Sequence, residues 1–301
     1  VSRNDGRTKK EKWEEIYPKM GYMALLRNLR NMIDSGMNMA DVSERIRDRR
    51  AVAKSKQMPF RFFSAYKEVK AMHATDPWQI GGVLSALVGA LLYSVDNIQR
   101  LPGKTLIAVD VSGSMQSPFS RNSTIQYIDI ATLYGSLASR ICENAVVSEF
   151  ADEFKIVNTP AHMSPLAQMG NFTYGGATYA YKIMEWLLST GTSVDRIIIF
   201  SDFQVYNERY GYGHSESFPT LVDKYRQHIN KDVYLYTVDL AGYGTTMLQK
   251  NQKVPLIRGW SDRVFELIGY FEADGQTMVD IIRSYDPKVD TVRSVAYGKS
   301  R

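Results

Sequence analysis

Four short runs of β-branched and aromatic residues after residue 100 do most to restrict the fold: "TLIAVDV", "AVVSEFA", "RIIIFSDF" and "VYLYTVDL". Each is apolar at consecutive positions, so both faces of the strand it forms are buried. Between them lie "IQYIDIATLYGSLASRICE", "AYKIMEWLLST" and "SFPTLVDKYRQHI", with "DRVFELIGYFE" beyond them, all spaced as helices. Buried strands alternating with helices predict a mostly parallel, doubly wound α/β sheet. Such a sheet receives ligands in the crevice beyond the carboxyl ends of its strands. Asp110 closes the first strand and Asp202 another.

The first hundred residues carry a helical period instead. "YMALLRNLRNMI" sets Met23, Leu26, Leu29 and Ile33 on one face and Arg27 and Arg30 on another. "MADVSERIRDRRAVAKS" follows the break at Gly36, and "FRFFSAYKEVKAMHA" follows Pro59, a residue suited to a first helical turn. Asp76 and Pro77 read as N-cap and first residue of a long apolar helix. The expectation is about five helices without a strand, stacked as HEAT-like hairpin repeats, although no internal period repeats in the sequence. The apolar run Ile80 to Val95 is about 16 residues, short of the roughly 20 that cross a bilayer, and predicts a buried helix rather than a membrane span. Three parts result: a helical segment over 1–100, an α/β domain over 101–286 and a tail over 287–301.

Charge divides along the same line. Residues 1–100 hold 18 Lys and Arg against 11 Asp and Glu, leaving 19 against 21 for the remainder, or about +7 and −2. A basic helical segment points to a polyanionic partner or to a solvated basic surface. Cys142 is the only cysteine and sits in an apolar helical pattern, which excludes an internal disulfide and predicts a core thiol in a reducing compartment. The N-terminus is polar and lacks both an initiator Met and the apolar core of a secretion signal, so a cytoplasmic location is expected for a chain trimmed or drawn from a longer one.

"DVSGS" at the end of the first strand brings Asp110, Ser112 and Ser114 to the position where such a sheet builds a site. Thr178 follows the turn "YGGA" ahead of a helix, and Asp202 follows "RIIIFS". Two carboxylates and three hydroxyls are hard oxygen donors with no His or Cys close in sequence, a set that suits Mg²⁺ or Mn²⁺ rather than Zn²⁺. The alternative is an ordinary turn with aspartates capping nearby helices. Catalysis is not expected: the position two after Asp110 is Ser112, which cannot serve as a general acid near neutral pH, and neither a P-loop lysine nor a G-x-S-x-G elbow occurs. His73, His162, His214 and His228 are scattered without metal or triad spacing.

"DVSGS", "GGAT" and "FSD" together resemble the metal-ion-dependent adhesion site of von Willebrand factor A domains. The resemblance implies a Rossmann-like A-type domain in which Ser112, Ser114 and Thr178 touch the ion. On the same resemblance Asp110 and Asp202 would bind it directly or through water, and a protein partner's acidic residue would complete the site. "EKWEEIYPKMGYMALLRNLRNM", "KSKQMPFRFFSAYKEV", the A-type domain and "GWSDRVFELIGYFE" resemble the Ro autoantigen family in the same order. Members carry a TROVE module of helical repeats and bind noncoding Y RNAs and the single-stranded ends of defective RNAs. More helical sequence precedes this point in the family, so the first hundred residues resemble the last part of that module.

RNA would be expected on the basic helices. Arg27 and Arg61 lie in the family-like motifs and are the first choices. Arg30, Lys9 and Lys10 are further candidates; in the basic run from Arg45 to Lys56, positions 45 to 50 cannot all share one helix face, so some only solvate the surface. Phe60, Phe62 and Phe63 are read mainly as core, with base stacking as the alternative. Residues 206 to 218, rich in Tyr, Gly and Ser, are read as a long exposed loop beside the Asp202 strand end.

Overall fold

A computed structural model describes residues 6–72, 77–121, 123–160, 162–203, 216–242, 255–259, 261 and 263–273. The Asp76 cap, His73, His214, most of the loop 206–218 and the tail 287–301 lie outside the described residues.

The N-terminal segment is helical, as its period predicts: α1 (Lys9–Ile16), α2 (Tyr22–Asp34), α3 (Ala40–Arg47), α4 (Arg49–Ser55), α5 (Pro59–Lys70) and α6 (Pro77–Ser94). The stretch from Met39 to Ser55, expected as one helix, is two. Asp48 adopts an extended conformation between them (ψ 110) and its carboxylate accepts from the Ala51 amide at 2.8 Å, capping α4. Leu25, Leu29 and Met32 of α2, Phe62 and Phe63 of α5 and Val83, Leu87 and Leu91 of α6 form the buried interior. Burying each is worth roughly 1.5–3 kcal/mol. Phe60, Phe62 and Phe63 are all core. The helical span Pro77–Asn97 exceeds the run counted from the sequence and is long and apolar enough to cross a membrane by length and composition alone. Its Val83, Ala86, Leu87, Ala90 and Leu91 face the interior, as in the core helix of a folded domain.

The second part is built on six strands: β1 (Leu101–Asp110), β2 (Cys142–Phe150), β3 (Phe154–Ile156), β4 (Arg196–Ser201), β5 (Tyr234–Asp239) and β6 (Leu256–Arg258). They lie in the order β3-β2-β1-β4-β5-β6, parallel except for β3. The four central strands are those read from the sequence. β3 and β6 were not foreseen, because three residues show no period. Cys142 opens β2 rather than lying in a helix; it is fully buried, and burial pushes its thiol up to about 11.

Alternate residues of β1 face opposite layers. Ile107 and Val109 join α7 (Tyr127–Ile141) and α11 (Val264–Glu272) on one face, while Leu106 and Ala108 join α9 (Tyr181–Thr190) and α10 (Phe218–His228) on the other. A four-residue helix, α8 (Pro165–Gln168), precedes α9. On α7 a Cβ at Gly135 would come within 2.8 Å of Phe172 and 3.1 Å of Val109, so glycine is what lets this helix settle onto β1. The first layer is continuous with the helical segment. One buried cluster runs from Trp13 through Phe62 and Leu87 to Ile107 and Ile268.

Candidate functional site

β1 leads rightward in the sheet order to β4 and leftward to β2, which makes the gap between the carboxyl ends of β1 and β4 the point where the winding reverses. Asp110 ends β1, and Asp202 directly follows β4; both are completely buried. Asp110 is held from both sides. The Ser112 amide donates to its Oδ1 at 2.9 Å and the Ser201 hydroxyl to its Oδ2 at 2.5 Å. Burial raises its carboxyl to about 6, the nearby Asp202 charge adds to the rise, and the Ser112 and Ser201 hydrogen bonds oppose it. Two anions in one dry place repel each other, and a cation between them would relieve that.

The hydroxyls arrive on two loops. Ser112 is buried, Ser114 half-buried, and their Oγ atoms lie 3.3 Å apart. The loop carrying Thr178 is stitched to the first: the Gly113 amide donates to the Gly176 carbonyl at 3.2 Å and the Gly175 amide to the Val111 carbonyl at 2.8 Å. Gly176 sits at φ +95, and a Cβ there would fall 2.4 Å from an Asp152 carboxylate oxygen, the same side chain that accepts from the Ala177 amide. Thr178 is itself buried. Asp110, Ser112, Ser114 and Asp202 are thus gathered at one strand-end crevice, and the Thr178 loop is bonded to it. Among the described residues no group of three or more His, Cys, Asp or Glu is placed to hold a metal; this crevice offers two carboxylates plus hydroxyls.

Ser201 and Asp152 were not singled out in the sequence, although Ser201 lies inside the "FSD" motif. Phe203, just beyond Asp202, is buried at φ 47, a conformation a bulky residue rarely takes, and its amide donates to Ser201 Oγ at 2.9 Å. The third strand-end aspartate, Asp239, accepts from the Gly242 amide at 2.9 Å and closes a turn.

On the helical segment, Arg27 and Arg30 of α2 and Arg61 of α5 line one groove of about 440 Å³, floored by Leu26, Leu29 and Val69. Glu68 shares it, with its Oε2 3.6 Å from Arg30. Lys9 and Lys10 are elsewhere, exposed on α1, with Lys10 3.9 Å from Glu14. Much of the run after residue 44 holds the fold together: Arg45 donates to the Tyr17 carbonyl at 2.8 Å and to that of Met20, and Arg49 pairs with Asp96 at 2.9 Å.

Fold and site define an A-type α/β domain, with its strand-end crevice, joined to a helical segment through a common core. Residues 4–78 match the family model of the TROVE domain, and residues 104–272 match that of the Ro60 vWA domain. The chain belongs to the Ro60 family. In structure it is similar to the Ro (Rsr) protein of Deinococcus radiodurans, with a TM-score of 0.70 and 18% identity over 87% of this chain and 55% of that one. The chain therefore spans about half the length of that relative. Two further matches have TM-scores too low to inform the comparison. One is an aerotolerance-related membrane protein of Bacteroides fragilis (12% identity, 59% and 98% coverage, TM-score 0.35). The other is proximal thread matrix protein 1 of the mussel byssus (13%, 69% and 61%, TM-score 0.36). No sequence among curated proteins matches.

Proposed function

We propose that the chain is a non-catalytic RNA-binding protein of the Ro type. In this reading it takes noncoding RNA, single-stranded or structured, on its helical segment and offers a divalent-cation site on its α/β domain to a protein partner. The observation that carries this reading is the convergence of Arg27, Arg30 and Arg61 on one groove. A cleft lined by three guanidinium groups against one carboxylate concentrates a positive field, and guanidinium groups match phosphate oxygens in pairs. Glu68 offsets one of the three charges, and the apolar floor suits base faces better than a second row of phosphates. Lys9 and Lys10 serve as outer contacts. The Lys10 pair with Glu14 is exposed and weak, so a phosphate displaces it readily.

The crevice fits Mg²⁺ or Mn²⁺ by the chemistry of its donors: two buried carboxylates, one raising the pKa of the other, beside hydroxyls on bonded loops. Asp110, Ser112, Ser114, Thr178 and Asp202 would hold the ion. When bound, it supplies a Lewis-acidic point that a carboxylate from a protein partner can meet. The buried acid pair also supports a second reading, in which the domain is an adhesion or assembly module and RNA plays no part. A reducing cytoplasmic compartment suits the single thiol at Cys142.

Anisotropy of a labelled oligouridylate across 0.05 to 0.3 M salt tests the first reading. Affinity is expected to fall steeply with salt, and Arg27→Ala is expected to flatten the log–log slope by about 0.7, the increment for one single-strand phosphate contact. A salt-independent affinity, or an unchanged slope in Arg27→Ala, would refute it. A protein partner lost with chelator from a chain that holds no RNA would select the adhesion reading.

A further inference from the structure

Arg61 lines a second cavity as well as the first. It measures about 430 Å³ and opens where the helical segment meets the α/β domain. Lys56 and Arg61 reach it from the helical side and Arg263 from the other, with Ser261 as a neutral donor and the rings of Phe60 and Phe119 as a wall. We infer that this seam cavity is a phosphate subsite. A single RNA strand in the Arg27 groove continues past Arg61 and sets its following phosphates against Lys56 and Arg263. The inference rests on the RNA-binding reading above.

Three features carry it. First, the cations come from both parts of the molecule and meet only because the two pack together. The described lining residues include no carboxylate, whereas the Arg27 groove includes Glu68. Arg263 is held at the rim by Glu266 at 2.7 Å; the guanidinium is 65% exposed and the carboxylate 22%, so the pair orients Arg263 and offsets one of the three charges while the outer side of the guanidinium stays open to an anion. Second, Lys56 ends α4 in the left-handed region (φ 54, ψ 22), where glycine is the easy choice. An exposed lysine in that conformation, itself a lining residue of the cavity, points from the strain to a role. Third, the half-buried Phe119 ring packs edge to face on the buried Phe60 with centroids 6.4 Å apart, which fixes Phe119 as an apolar surface on which a base can rest without a sequence requirement.

Lys56→Gly separates binding from folding, because glycine suits this helix terminus better than lysine does. With an oligouridylate of about a dozen nucleotides, Lys56→Gly and Arg263→Gln are each expected to reduce the salt slope by about 0.7 and affinity about fivefold at 0.1 M salt. The melting temperature of Lys56→Gly is expected at or above that of the parent. Unchanged slopes in both variants, with Arg27→Ala still weakening binding, would overturn the seam subsite alone. A parent chain that does not bind the oligonucleotide would overturn the RNA reading and this inference with it.

Discussion

Asp110 costs more to keep ionised than any other described carboxylate whose shift is resolved, because it is sealed from water beside a second acid. Its folded value of about 6 lies above the ordinary value of 3.8. The folded state therefore holds its proton more tightly, and stability falls as pH rises from about 4 to about 6. Asp110→Asn is expected to stabilise the ion-free protein at pH 7 by about 3 kcal/mol, with little gain at pH 4. Denaturant unfolding at the two pH values checks this, and equal effects at both would contradict it. The same substitution should abolish any rise in melting temperature on adding Mg²⁺. Asp110, Ser112 and Ser114 were legible in the sequence because five adjacent residues carry the pattern. The hydroxyl that holds Asp110 was not, since Ser201 lies 91 positions away and only strand pairing brings it near.

At the scale of elements, the two parts of the chain are joined by α5 and α7. Lys67 Nζ lies 2.6 Å from Asp129 Oδ2, and that oxygen also accepts from the Gln126 amide at 2.8 Å, closing the N-terminus of α7. Asp129 thus both caps and bridges, whereas Lys67 bridges and rests 6.0 Å from the centroid of the Phe63 ring. Asp129→Ala is expected to cost about 1–2 kcal/mol and Lys67→Ala less than about 1. Chemical unfolding of the two variants gives the comparison, and a larger loss from Lys67→Ala would contradict the assignment. Long strands and helices were readable because each repeats its period several times. The break between α3 and α4 was hidden, because Asp48 among charged neighbours looks like any surface residue until its backbone extends and its carboxylate turns onto Ala51. The gathering of Arg27, Arg30 and Arg61 was visible only in part: residues 27 and 30 share a helix face, but Arg61 joins them through the packing of α5 against α2.

The whole molecule is closed at the end opposite the crevice by a buried ion pair. Arg196, at the start of β4 and 3% exposed, meets Glu272 at 2.5 Å and also donates to Thr105 Oγ1 at 2.8 Å, tying β1, β4 and α11 together. Removing Glu272 leaves a guanidinium buried without its counter-charge. Glu272→Ala is expected to destabilise the chain by about 3–5 kcal/mol and, because one hydrophobic cluster spans both parts, to lower a single transition rather than split it. Calorimetry that resolves two separate peaks would contradict that. The strand order also governs how the chain assembles as it leaves the ribosome. β1 can pair with β2 early, but its other edge stays bare until β4 has been synthesised, with residues 111–195 between them. The nascent half-sheet therefore carries an open hydrogen-bonding edge at its middle for all that interval, the period in which wrong partners and chaperones compete for it. Asp110 and Asp202 come from the two sides of that closure, so the crevice cannot form before it.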